Sequence, residues 1–259
     1  MELSFTGLPD IPMVKPGDNL VELIIDSLEH LGQDLESGDV LVIAQKIVSK
    51  AENRYLDLKT IEPSSLAITL AQKVQKDPRK VQAILDQSNE VVRASPGVLI
   101  VEQKSGFVQA NGGIDQSNIE VKGVDPDDLC LLLPENSDVS AEKIRAEIML
   151  RVGVDVAVII NDSLGRPWRM GTLGLAIGVS GFTALEDYVG GEDIFGRELQ
   201  VTQVGAADEM AAGASLVMGQ TTEKTPVVLV RGYQPRDPVD ESLRGVSPLI
   251  RPKDLDLFR

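Results

Sequence analysis

Two acidic side chains in glycine- and serine-bearing surroundings are the residues of this chain best placed to do chemistry. The apolar run Val156, Ala157, Val158, Ile159, Ile160 stops at Asn161, Asp162 and Ser163, and then come Gly165, Arg166, Pro167, Trp168 and Arg169. A short β-branched run closed by Gly and Pro predicts a buried strand that ends in a turn and delivers an acid to a pocket edge. Asp162 and Ser163 offer hard oxygens suited to Mg²⁺ or Mn²⁺, and the forks of Arg166 and Arg169 fit phosphate or carboxylate. Read alone, N-D-S-x-G is equally an ordinary turn with Asp162 as a helix cap. A second segment, Gly112, Gly113, Ile114, Asp115, Gln116, Ser117, Asn118, follows another strand-like run from Gly106 to Asn111. Glycines let a ligand approach the backbone, Asp115 can coordinate a cation, and Asn118 can hydrogen-bond a base or sugar without adding charge. Together, Asp115 and Asp162 can share one metal.

The elements that must position these acids are legible as periodicity. Asp18 is expected to cap a helix carrying Leu20, Val21, Ile24, Leu28 and Leu31, and Gly38-Asp39 turns into a strand over Val40–Ala44. Helices are expected over 64–76 and 78–88, the latter opening on Asp77-Pro78, and strands over 98–102 and 107–111 flank a hairpin turn at Lys104, Ser105 and Gly106. A loop at 134–140 leads into a helix over 141–151, which feeds the strand ending at Asp162. Beyond it the pattern gives a strand over 199–204, a small-residue helix over Ala206–Met218 and a strand over Val227–Arg231. After Gln234 the chain carries Pro235, Arg236, Pro238, Arg244, Pro248, Arg251 and Pro252 with little periodicity, a tail expected to pack loosely or to cap a partner subunit. Strands and helices do not alternate regularly, so mixed α+β is expected over a doubly wound sheet, with an internal boundary near Pro134.

Composition limits the partners. With 40 acidic against 25 basic side chains the net charge is −15, which argues against nucleic acid or an anionic membrane. Anionic small molecules must then meet local basic pockets, and Lys46, Lys50, Arg54, Arg166, Arg169 and Arg197 lie in or beside the candidate motifs. For Arg54 and Arg197, balancing surface acids is an equally good reading. The single cysteine, Cys130, sits in an apolar run and is expected to be packing, which fits a reducing, cytoplasmic setting. His30, the single histidine, falls at a helix end and offers no catalytic pairing. Neither a signal peptide nor a membrane span is expected, and a soluble protein follows.

The motifs together resemble one family. Ile11, Pro12, Met13, Val14; Val48, Ser49, Lys50, Ala51, Glu52; G-G-I-D-Q-S-N; and N-D-S-x-G-R-P-W-R stand in the order found in the coenzyme F420-0:L-glutamate ligases, the F420 gamma-glutamyl ligase family. So do A-I-G-V-S-G from Ala176, D-I-F-G-R-E-L from Asp193, A-D-E-M from Ala207, V-M-G-Q from Val217 and V-R-G from Val230. The resemblance implies a two-lobed α+β fold with a mixed sheet, an intertwined homodimer, and a single ligase domain without the nitroreductase-like domain of some actinobacterial relatives. It also implies a reaction in which GTP phosphorylates the lactyl carboxylate of F420-0 and the amine of L-glutamate displaces phosphate, with a second, γ-linked glutamate as an extension. One or two divalent ions, Mg²⁺ or Mn²⁺, would neutralise the triphosphate.

By motif matching, the resemblance implies Asp115, Asp162, Ser163 and the amide oxygen of Gln220 as metal ligands. It places Lys50 and Asn118 on the nucleotide. Ile11, Pro12, Met13 and Val14 would cradle the guanine or ribose with Gln45 or Ser49 assisting, and Met218, Gly219, Gln220, Thr221 and Thr222 would form the opposite wall. Arg166 and Arg169 are added from chemistry alone as clamps on carboxylate or phosphate. Each has a plainer alternative: Lys50 could pair with Glu52, Gln220 could cap a helix end, and Trp168 could be a buried structural residue instead of a stacking platform. The chain has no G-x-x-x-x-G-K-[ST] loop, so GTP rests on the resemblance, as does an accessory K⁺ ion. A divalent-metal phosphohydrolase and a non-catalytic nucleotide-binding homologue remain open alternatives.

Overall fold

A computed structural model of the chain describes residues 2–235 and 244–256. In chain order it places β1 (Ser4–Gly7), α1 (Leu20–Leu31), β2 (Val40–Ala44), α2 (Gln45–Ala51), β3 (Tyr55–Asp57), α3 (Ser65–Val74), α4 (Pro78–Asp86), β4 (Ser88–Ser95), β5 (Val98–Gln103), β6 (Val108–Ala110) and β7 (Leu129–Leu131). The second half gives α5 (Ser137–Val152), β8 (Ala157–Gly165), β9 (Thr172–Ser180), the short pair β10 (Glu186–Asp187) and β11 (Gln203–Val204), α6 (Ala206–Met218) and β12 (Val227–Arg231). The class is mixed α+β, because the central sheet, ordered β1-β12-β2-β8-β9, has one parallel pair, β2 with β8, among antiparallel neighbours.

The sheet is covered on both faces, and its two-residue period decides which helix meets which face. Leu41, Ile43, Val158, Ile160, Val227 and Leu229 point to the side of α1, α2 and α5, while Val40, Val42, Ala157, Ile159, Val228 and Val230 meet Ala207, Met210, Ala211, Ala214 and Met218 of α6. Between α2 and α5 the chain forms a further hydrophobic cluster, in which Leu58, Ala71, Val74, Ile84, Leu99 and Val101 are buried with Cys130. The return strand β7 pairs with β3, and Arg54 ties the exit to the sheet layer by donating to the Leu133 carbonyl at 2.9 Å.

Several expectations change here. The run ending at Ile160 does not stop in a turn at Asn161-Asp162-Ser163: β8 continues to Gly165 because β9 supplies an antiparallel partner along its length, with a register shift between Ile160 and Asn161. α1 is capped by Asn19, whose side chain accepts from the Val21 and Glu22 N–H groups at 2.9 and 3.2 Å, while Asp18 takes the Lys15 N–H. α5 begins at Ser137, inside the expected loop, because Asn136 caps a polar first turn that has no apolar stripe to betray it. The strand expected over 199–204 shrinks to two residues paired with β10. β4 runs where only helix end and loop were expected. In the tail, buried Val246 donates to Asp138, so this part packs on its own chain; Arg236 and Pro238 lie outside the described residues. Among the described residues, no helix is long and apolar enough to cross a membrane.

Candidate active site

An open cavity of about 780 Å³ lies at the carboxyl ends of the parallel strands β2 and β8, and residues of the 110–120 segment also line it. This is the end at which parallel strands commonly present ligands, and the volume is within the range of small-molecule sites. Both acids singled out in the sequence line it.

Asp115 is held by backbone and side chain together. Its N–H donates to the Leu131 carbonyl at 3.0 Å and its carbonyl accepts from Leu131 N–H at 2.8 Å, which fixes the loop to β7. The preceding Gly113 has φ +72°, and a Cβ there would sit 2.6 Å from Leu133 Cδ1, so only glycine lets the loop pass this close. One carboxylate oxygen accepts from the Ser117 N–H and hydroxyl, both at 2.8 Å, and the other receives the Lys46 ammonium at 2.7 Å. Burial works against its charged form, but Lys46 and Ser117 outweigh it and hold the carboxyl below its ordinary range.

Asp162 stands near the end of β8 with less support. Its Oδ1 accepts from Ser163 N–H at 2.8 Å. Burial and then the nearby Asp115 charge push its carboxyl up to about 6, against the opposing Ser163 N–H and Lys46. The neighbouring Asn161 faces the other way, donating to Ser215 Oγ at 3.0 Å on α6.

The remaining walls come from distant segments tied across the opening. Buried Lys50 donates to the Asn118 carbonyl at 2.7 Å, and Asn118 Nδ2 reaches the Thr221 carbonyl at 3.3 Å. Burial, and then the Lys46 ammonium, lowers the Lys50 pKa. Ile11, Pro12, Met13, Val14, Gln45, Ser163, Met218, Gly219, Gln220, Thr221 and Thr222 all belong to the lining.

Other expected site residues lie elsewhere. Ser49 is fully buried outside the lining and donates to Gln45 Oε1 at 2.9 Å, which places it behind the wall. Arg166 and Arg169 ride the β8–β9 hairpin tip beyond the lining, because β8 runs on past Ser163; Arg166 donates to the Gly171 carbonyl at 2.9 Å. Trp168 on the same tip is 87% exposed, so it is no buried structural residue. Lys50 does not pair with Glu52, which accepts instead from the Ser140 hydroxyl. Lys46, expected only as part of a basic pocket, lines the cavity and pairs with Asp115, and its i,i+4 spacing to Lys50 on α2 puts both on one helix face.

The donor set fits a divalent ion of the Mg²⁺ or Mn²⁺ kind. Two carboxylates that repel one another in one wall, with a hydroxyl and an amide nearby, supply hard oxygens but leave positions for phosphate and water, as Mg²⁺ sites usually do. No cluster of three or more His, Cys, Asp or Glu able to hold a metal occurs among the described residues.

The family comparison bears on the whole chain. Residues 9–232 match the family model of F420-0:gamma-glutamyl ligase. The chain belongs to the F420-0:gamma-glutamyl ligase family. Its relatives include the coenzyme F420:L-glutamate ligase of Methanothermobacter thermautotrophicus, 45% identical over 259 residues covering 100% of both chains. That of Methanococcus maripaludis is 49% identical over 261 residues, covering 100% of this chain and 98% of the relative. That of Methanocaldococcus jannaschii is 46% identical over 252 residues, covering 96% and 94%. These relatives are enzymes of the ligase class, and the F420-0:gamma-glutamyl ligase match takes in both acids and every wall of the cavity.

Proposed function

We propose that this chain joins L-glutamate to coenzyme F420-0 in coenzyme F420 biosynthesis, with GTP as phosphoryl donor, and that a second, γ-linked glutamate can follow. The observation that carries the reading is the convergence of Asp115 and Asp162 on one cavity in a member of this family. Joining a carboxylate to an amine needs a better leaving group than oxide. The lactyl carboxylate oxygen therefore attacks the γ-phosphorus, GDP leaves, and the glutamate amine then attacks the acyl carbon, giving up a proton as inorganic phosphate departs. One or two Mg²⁺ or Mn²⁺ ions held by Asp115, Asp162, Ser163 and Gln220 would supply charge neutralisation for these anions.

The chain's own residues bind and orient. Lys46, Lys50 and Lys224 put positive charge into the wall of a protein whose net charge is −15, which draws anions to this cavity. Asn118 and the backbone of Ile11, Pro12, Met13 and Val14, all in the lining with residues 218–222, would take the nucleoside. We place the working enzyme in the cytoplasm as a homodimer, with exposed Trp168, Met170, Ile194 and Phe195 as apolar surface for a second copy.

Incubation of purified protein with GTP, Mn²⁺, L-glutamate and F420-0 tests the reading. A glutamate-dependent mass gain of the deazaflavin is expected; GTP cleavage that proceeds equally without glutamate would indicate a phosphohydrolase and reject it.

Two further outcomes follow from the site. Lys50→Ala is expected to raise the KM for GTP about tenfold, the scale of one charge-assisted hydrogen bond, while barely changing the urea midpoint, since it removes a buried charge. Unchanged GTP dependence would take Lys50 out of the nucleotide site. Asp162 sets the pH response. With its carboxyl raised to about 6, protons compete with the cation below that value, so Mn²⁺ affinity of the nucleotide-free protein should be flat above it and fall about tenfold per pH unit below. Calorimetric titration from about pH 5 to about pH 8, which brackets that midpoint, reads this directly.

A further inference from the structure

We propose that Lys46 is a placeholder cation: in the metal-free protein its ammonium holds the Asp115 carboxylate, and it gives way when a divalent ion and an anionic nucleotide enter together. The inference rests on the metal reading above and adds a positioning residue to it.

Lys46 and Ser117 divide the Asp115 carboxylate between them. Oδ1 is occupied by Ser117, through its N–H and hydroxyl, both at 2.8 Å. Oδ2 carries the Lys46 ammonium at 2.7 Å. Lys46 also donates to the Ser117 carbonyl and hydroxyl at 2.8 and 2.9 Å, so the ammonium sits in a nest of oxygens of the kind a hard cation takes. Removing Lys46 frees Oδ2 while Ser117 keeps the carboxylate aimed.

A divalent ion and an ammonium cannot share Oδ2 without repulsion, so entry of one requires exit of the other. The Lys46 side chain is 22% exposed and springs from the first turn of α2, so its four-carbon stem can swing within the cavity. Its destination is constrained by Lys50, a second ammonium on the same helix face that already feels Lys46 as a like charge. Without an anion, a freed Lys46 gives up the oxygen nest of Asp115 and Ser117 and stays beside the Lys50 ammonium. With a triphosphate in the cavity, it gains a partner.

The consequence is thermodynamic coupling. Metal alone must displace Lys46 into an unfavourable place and binds weakly, whereas metal with nucleotide binds tightly. By linkage each must strengthen the other by the same factor. The device would suppress idle loading of the cation and admit it with the phosphate it serves. A permanent structural ion pair at the same distance predicts the opposite, since losing it would loosen the Asp115 loop and weaken metal binding.

The test titrates Mn²⁺ into the full-length protein, with free Mn²⁺ followed by electron paramagnetic resonance, in the absence and presence of GDP. Wild type should show affinities that differ by about tenfold or more between the two conditions, within the usual range of coupling. Lys46→Met should tighten nucleotide-free Mn²⁺ binding about tenfold by leaving Asp115 unpaired, and should collapse the coupling to about twofold. Lys46→Gln, which keeps a hydrogen bond to Ser117 without charge, should behave alike and covers the case in which methionine disturbs folding. Unchanged or weaker Mn²⁺ binding in both variants, with Asp115→Asn still abolishing it, would overturn the placeholder role while leaving the metal reading intact. Mn²⁺ binding indifferent to Asp115→Asn would remove both.

Discussion

Asp115→Asn and Asp162→Asn are each expected to lower glutamate-dependent turnover by about 10³-fold, equivalent to about 4 kcal/mol of lost transition-state stabilisation. Each substitution removes one of the two carboxylates from a site whose other oxygens, from Ser163 and Gln220, are neutral. Neither should unfold the protein. An amide in place of the Asp115 carboxylate can still accept from Ser117, and the two backbone bonds to Leu131 are untouched. For Asp162 the stability effect has the favourable sign: burial raises the carboxyl to about 6, so at neutral pH the folded state carries a charge it disfavours, and a neutral amide in its place relieves it. Asp162→Asn should therefore melt at or above the wild-type temperature while being nearly inactive. Paired thermal melts and rate measurements check this; near-normal turnover at limiting metal would remove the residue from the mechanism.

Gly174→Val is expected to destabilise the protein by about 3 kcal/mol and to abolish activity with it. Gly174 lies opposite Ser163 in the β8–β9 ladder, on the face where α6 packs. A Cβ there would fall 2.1 Å from Ser215 Oγ, 2.5 Å from the Ala211 carbonyl oxygen and 2.6 Å from Asn161 Oδ1. The Ala211 contact is backbone within a helix, so no rotamer change relieves it. Either α6 moves off the sheet or β9 moves off β8, and both shift the strand that carries Asp162. Gly165→Ala, with open space around its Cβ position, is the matched control and should be near neutral. Urea denaturation of the pair separates close packing from any general effect of losing glycine.

What was readable in the sequence followed physical accessibility of the signal. β2 and β12 are apolar on both faces because helices cover both sides of the sheet, so Val40–Ala44 and Val227–Arg231 declare themselves without a partner. The continuation of β8 beyond Ile160 is hidden, since Asn161, Asp162, Ser163 and Gly165 have turn chemistry and the pairing that overrides it comes from β9 downstream. β4 is concealed by Asn89, Glu90 and Arg93 on a partly exposed strand beside a hydrophobic cluster whose buried residues come from elsewhere. In the site, Asp115 and Asp162 were legible because their flanking glycines, serines and asparagines are unusual beside apolar runs. Arg166 and Arg169 are expected from their chemistry as clamps, but the extra length of β8 carries them beyond the cavity lining. Lys46 is legible only as one base of an expected pocket; its pairing with Asp115 is not, because that partner is far off in sequence.

The central claim is that the carboxylates of Asp115 and Asp162 meet at one cation beside the nucleotide. Crystals grown with Mn²⁺ and GDP, measured at the manganese absorption edge, test it most directly. An anomalous peak within coordination distance of both carboxylates and of a phosphate oxygen is the predicted result. Manganese bound elsewhere, with either aspartate left outside its coordination shell, would contradict the account.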